Sequence, residues 1–381
     1  MFYNFPKQLQ REDYEEVCDL AVASLKNNPN IKAAYSASGE WAPGISDVDI
    51  VIVYNNRIEN RVSPQSPWSL SEKAKYLFLH TYGSCNEESF RNFYYLNPDR
   101  VNLRFLYGED APILNPRKEL SPMDYKFLNA IFIFDFLVNK LLFYPRHLTA
   151  KKHDARRLLG EIHSITYTLE MMETITGEQM NRDFSIRIKQ LRKNWFDEDR
   201  EENSKELTFL IKEGMDLILE IVIKLNDFIK SQSLPLDPGI IFKNRRYYII
   251  FDEKWSKEKF LQSFFKGYLV LKNPYSKRAV ENFEFVLPPN LSYFLMAYAN
   301  CQGPLSDWIR EGLSNHRKLE NFSIPAGIEK HIASVNNLVR ADIENNGLFR
   351  IPFPYGLLTG RRTMISKIGE KLILFLRSIK K

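Results

Sequence analysis

The chain has 381 residues, 44% of them hydrophobic and 26% charged, with a formal net charge of +6. That length exceeds what one compact core usually holds and predicts two or three domains, and the ordinary composition excludes a disordered or fibrous chain. Three widely spaced cysteines, Cys18, Cys85 and Cys301, exclude a disulfide framework or a cysteine-rich zinc site and point to a reducing, cytoplasmic setting. The mildly basic balance suits a nucleotide, a nucleic acid or an anionic lipid without selecting among them. No signal peptide and no transmembrane segment are expected. The nearest apolar run, residues 127–144, is interrupted by Asn129, Asp135, Asn139 and Lys140.

Taken in order, residues 10–28 read as a helix, because Tyr14, Val17, Cys18, Ala21, Val22 and Leu25 recur at helical spacing. Asn28-Pro29-Asn30 ends it, and residues 31–35 form a short strand. A polar turn leads into a second strand that opens on Asp47 and Asp49. Side chains alternate along a strand, so both acids share one face with Val51 and Val53, while Val48, Ile50 and Ile52 take the other. Two like charges side by side are costly unless a cation joins them, and hard oxygen ligands point to Mg²⁺ or Mn²⁺. Ser69 or Ser71 caps a helix predicted to run to about Tyr82. The turn Asn97-Pro98-Asp99 then leads to a strand over residues 101–106.

The stretch from Tyr35 to Val53 resembles the signature of the DNA polymerase β-like nucleotidyltransferase superfamily, a Gly-Ser turn and a spacer followed by Asp-x-Asp in an apolar strand. Ser36 falls on the Ser of that pair, and Pro43-Gly44-Ile45-Ser46-Asp47-Val48-Asp49 resembles the spacer end of bacterial members. An alternative register uses Ser38-Gly39 as the turn. The resemblance covers about residues 8–116, where the order helix, strand, strand, helix, strand agrees with it. It implies that Asp47 and Asp49 hold Mg²⁺ and a nucleoside triphosphate, with Ser36, Ser38 and Gly39 as the phosphate cradle. The implied reaction is transfer of a nucleoside monophosphate to a hydroxyl of a small molecule, a protein or an RNA. Tyr35 stands where the family has Gly. Asn102 stands where the third carboxylate belongs, with Glu109 and Asp110 the nearest acids in sequence. These departures motivate the alternative of a catalytically inactive binding or regulatory protein on the same fold. A third reading, the Asp-x-Asp of a glycosyltransferase, meets the objection that only one helix and one short strand precede the motif.

Residues 121–232 read as a helical bundle. Ser121-Pro122 starts a helix that stops before Pro145, a second helix spans residues 149–176 and ends at Gly177, a short basic helix covers 184–195, and a long one covers 205–230. The acidic run 197–202 reads as a solvated loop, and Arg156 and Arg157 as a solvated face, with contact to a triphosphate or acceptor as the alternative. After a Pro-containing linker, residues 233–381 read as a smaller module with a hairpin over 240–251, two further strands and several helices. Its last helix, residues 364–380, carries basic residues beside an apolar stripe; it reads as docked on this module, with contact to an anionic surface as the alternative. The expectation is therefore an α+β protein: a nucleotidyltransferase-like mixed-sheet domain (1–120), a helical bundle (121–232) and an α+β module (233–381).

Overall fold

A computed structural model describes residues 1–37, 42–56, 64–98, 102–143, 148, 151–234, 240–243, 247–263, 283–313, 322–345 and 349. The predicted turn residues Ser38 and Gly39, the strand near residue 270 and the C-terminal helix lie outside them.

The protein is of mixed α+β architecture. Strand β1 (Phe2–Tyr3) precedes helix α1 (Arg11–Leu25), which buries Tyr14, Val17, Cys18, Ala21 and Leu25, the stripe expected from their spacing. Strands β2 (Ile31–Ser36) and β3 (Ile50–Tyr54) pair antiparallel, with Ser36 opposite Ile50. Helix α2 (Glu72–Leu77) is capped by Ser71, whose hydroxyl accepts from Ala74 N at 3.0 Å. It stops five residues before the predicted end, and the chain turns directly into β4 (Gly83–Asn86), which pairs parallel with β3. Strand β5 (Arg104–Gly108) lies against β2, giving the sheet order β4-β3-β2-β5.

This order corrects the placement of the third strand. The element beside the Asp strand is β4, a strand absent from the sequence reading, and the predicted strand over 101–106 occupies the far side of β2. A four-residue strand, Gly-Ser-Cys-Asn, has neither the length nor the β-branched residues that mark a strand in sequence.

Each face of the sheet is covered. Val48, Ile50, Ile52 and Ala34 join an apolar cluster with α1 and α2. Ala33, Tyr35, Val51 and Val53 join the larger cluster with the helices that follow. That alternation is the one predicted from the Asp-x-Asp strand.

Those helices are α3 (Glu87–Arg91), α4 (Phe93–Leu96), α5 (Pro116–Glu119), α6 (Pro122–Phe143), α7 (Ala155–Thr176), α8 (Arg182–Lys193) and α9 (Arg200–Ser231). Helix α7 begins six residues later than predicted. His153 and Asp154 pair with β1, and the Asp154 carboxylate caps the helix by accepting from Arg157 N at 2.9 Å. The acidic run is not wholly a loop: Asp199 caps α9, so Glu201 and Glu202 sit in its first turn, where the helix dipole favours them. Beyond the bundle, β6 (Ile241–Lys243) and β7 (Tyr247–Phe251) form the predicted hairpin, and β8 (Phe283–Leu287) adds parallel to β7. Helices α10 (Ser292–Asn300), α11 (Pro304–Gly312) and α12 (Ala326–Glu344) follow.

One apolar cluster runs from Val51 on the sheet through Leu158 and Ile218 in the bundle to Phe294 and Ile332. Inside it, His331 of α12 lies with Nε2 3.0 Å from Asp135 Oδ2 of α6, and Tyr298 of α10 donates to the same oxygen at 2.7 Å. All three side chains are buried. Among the described residues, no helix is long and apolar enough to cross a membrane.

Candidate functional site

The loop from Ala42 to Asp49 is built before it is charged. Ser46 N donates to Ala42 O at 2.9 Å and Ala42 N to Ser46 Oγ at 2.9 Å, closing a turn. Gly44 sits at φ +77°, and a Cβ there would stand 1.9 Å from Lys7 O, so only glycine fits. Tyr76 of α2 donates its hydroxyl to Gly44 O at 2.6 Å, and Tyr14 of α1 donates to Ser46 O at 2.9 Å. After this turn the chain is extended. Val48 N donates to Leu77 O and Ala37 N to Asp49 O, and regular strand pairing begins at Ile50. The two acids therefore occupy the entry to β3, one and three residues ahead of its first paired residue, Ile50.

Two bundle arginines hold this loop from behind. Arg156, the second residue of α7, is 3% exposed. Its Nε donates to Ile45 O at 3.3 Å, Nη2 to Ser46 O at 3.1 Å and Nη1 to Tyr76 O at 2.5 Å, while the guanidinium lies 3.8 Å from the centre of the Tyr76 ring. Arg192 of α8 donates through Nη2 to Ser46 Oγ at 2.8 Å. The expectation of a solvated face at Arg156 is overturned. It holds for Arg157, which is mostly exposed and pairs with Glu161 at 2.7 Å one turn along its own helix.

Asp47 and Asp49 come together as their alternation requires, and a third group joins them. Nε2 of His80 lies 2.6 Å from Asp49 Oδ1 and 3.8 Å from Asp47 Oδ2. One ligating atom from each residue falls within 4.8 Å of the other two. His80 follows α2 and leads into β4, the strand parallel to β3. It was hidden because the predicted helix ran past it. The signal in sequence was the pair His80-Thr81 before Gly83, too weak to distinguish from a loop.

The electrostatics follow from this crowding. Burial and the neighbouring Asp49 charge raise the Asp47 carboxyl to about 6, against the partial opposition of His80 and Arg156. Burial alone would lower the His80 imidazole. The hydrogen bond to Asp49, the two carboxylate charges and the Thr81 carbonyl outweigh it and bring the ring to about 9. Without a metal, an imidazolium thus bridges the two acids.

The remaining expected site residues fare differently. Ser36 is buried at the end of β2 beside Ile50. Tyr35 turns its ring into the core, stacking on Phe90 at 4.5 Å, and its hydroxyl donates to Asp110 Oδ1 at 2.8 Å. Asn102 is exposed ahead of β5, one strand removed from β3. Glu109 and Asp110 do not supply a third acid. Glu109 N donates to Lys32 O, whereas Asp49 O accepts from Ala37 N, a separation of five residues along β2, roughly 16 Å at the strand rise.

The three donor atoms are of a kind that could hold a divalent ion. Ligands on bonds of about 2.0–2.2 Å stand roughly 3–4.4 Å apart, so the 2.6 Å contact of His80 with Asp49 would have to open by a few tenths of an ångström to admit one. Compared with protein-family models, with curated proteins and with solved structures, the chain matches none.

Proposed function

We propose that the protein is a metal-dependent nucleotidyltransferase, moving a nucleoside monophosphate from a nucleoside triphosphate to a hydroxyl acceptor. The observation that carries the reading is the convergence of Asp47 and Asp49 at the entry of an apolar strand, on a loop fixed by Gly44 and backed by Arg156 and Arg192. Asp47 and Asp49 would hold the divalent ion, expected to be Mg²⁺ or Mn²⁺, and the triphosphate bound to it. The ion supplies charge neutralisation at the transferring phosphorus and the leaving pyrophosphate. The chain's own part is to hold the two carboxylates side by side at low conformational cost, which the arginine clamp does. Ser36, Ser38 and Gly39 remain the proposed triphosphate cradle; of these, Ser36 closes β2 opposite Ile50, the residue after Asp49.

A second reading, a nucleotide-binding protein without turnover, draws on one observation: the segment leading into β4 brings an imidazole, and not a carboxylate, beside the pair. Calorimetric titration of ATP and the other triphosphates into wild type and Asp47→Asn, with and without Mg²⁺ or Mn²⁺, tests both. Metal-dependent binding lost in the variant, with pyrophosphate release in the presence of acceptor, supports the transferase. Binding without release supports the second reading. No binding of any triphosphate by wild type refutes both.

A further inference from the structure

We infer that His80 is a metal ligand, and that it makes this a mixed nitrogen and oxygen site selective for a first-row transition cation over Mg²⁺. The inference deepens the reading of Asp47 and Asp49 as metal-binding residues and does not require nucleotidyl transfer.

Three features of the structure carry it. His80 presents its Nε2 atom to both carboxylates, at 2.6 Å and 3.8 Å. Its other ring nitrogen is committed: Nδ1 lies 2.8 Å from Thr81 O, and a carbonyl only accepts, so Nδ1 carries hydrogen and donates. A backbone carbonyl holding one ring nitrogen protonated is the arrangement that fixes the ring orientation of metal-bound histidines, so an ion that displaces the Nε2 proton meets a lone pair already aimed at it. Finally, the chain delivers His80 on a short connection anchored at both ends. Val48 N is bonded to Leu77 O and β4 runs parallel to β3, so the segment between Leu77 and Gly83 is tied at both ends to the strand bearing the acids.

The chemical consequence is a choice of ion. Mg²⁺ takes oxygen ligands and gains little from an imidazole, whereas Mn²⁺, Co²⁺ and Zn²⁺ accept one readily, with affinity rising along that series. The ion would take Nε2 and one oxygen from each of Asp47 and Asp49, leaving further positions open to water or phosphate oxygens.

The test uses the full chain with metal chlorides and no nucleotide. Isothermal titration with MgCl₂, MnCl₂ and ZnCl₂ is run on wild type, His80→Ala and His80→Asn, with circular dichroism confirming that each variant is folded. Wild type should bind Mn²⁺ at least about tenfold tighter than Mg²⁺, and Zn²⁺ tighter still. Both His80 variants should lose most of that preference for Mn²⁺ and Zn²⁺ over Mg²⁺. Pulsed electron paramagnetic resonance of the Mn²⁺ complex should show coupling to a directly bound nitrogen in wild type and none in His80→Ala. Equal preference in the variants, or no nitrogen coupling in wild type, overturns the assignment of His80. Wild type binding no transition cation also overturns it, and leaves the triphosphate titration with Mg²⁺ as the separate judge of the transferase.

Discussion

Adjacent arginines at the start of α7 should behave as opposites. Arg156 is buried and donates three hydrogen bonds to carbonyls of Ile45, Ser46 and Tyr76 while stacking on the Tyr76 ring. Truncating it to alanine removes charge-assisted hydrogen bonds worth about 1.5–3 kcal/mol each and a cation–π contact worth about 1–2 kcal/mol. These terms are not additive, because water enters the space left behind. The cost on breaking a buried charged network is typically about 3–5 kcal/mol, which is the loss expected for Arg156→Ala. Arg156→Lys should recover less than half, since an ammonium on a flexible stem cannot span three carbonyls on two elements. Arg157→Ala removes only an exposed pair with Glu161 and should cost no more than about 0.5 kcal/mol. Urea denaturation followed by tryptophan fluorescence measures all three. Amide hydrogen exchange at residues 44–48 should accelerate in Arg156→Ala and not in Arg157→Ala. A stability loss within about 1 kcal/mol for Arg156→Ala, or equal losses at the two positions, would refute the clamp.

Three further outcomes are expected. Gly44→Ala forces a left-handed backbone onto a residue with no room for its methyl group, and should destabilise the fold by at least about 2 kcal/mol and weaken metal binding, both readable in one thermal-shift series with and without Mn²⁺. The His80 imidazole is raised in the folded state to about 9 from 6.5, so its contribution is complete below about 6.5 and lost as pH rises through about 9. With solvent screening at a partly exposed pair, that loss should be about 1 kcal/mol in metal-free buffer, and a His80→Ala curve equally steep over that window would contradict it. Asp135→Ala strands His331 and Tyr298 in the core and should cost about 3 kcal/mol in denaturation, with Asp135→Asn less damaging. A change under about 1 kcal/mol would show that the buried cluster holds nothing together.

The sequence by itself determined the parts that depend on local pattern. Helical spacing in α1, a serine cap at position 69 or 71, of which the structure uses Ser71, and the Gly177 stop were legible because propensity and capping are short-range. The alternation of Asp47, Asp49, Val51 and Val53 likewise followed from the pleat of a single strand: the acids share a face with Val51 and Val53 in one core cluster, while Val48, Ile50 and Ile52 enter the other. Element ends were less legible, since the end of α2 at Leu77 is set by the pairing of β4 with β3, a partner far along the chain.

Only the tertiary structure decided which strand lies beside the acids, and that choice exchanges Asn102 for His80 as their neighbour. Sequence order cannot supply strand order, because any later strand can reach either edge of a sheet. It also decided the fate of two adjacent arginines that no local rule separates. Arg156 faces the loop that carries the acids and Arg157 faces water, because tertiary packing turns one side of the first turn of α7 to that loop and leaves the other outside.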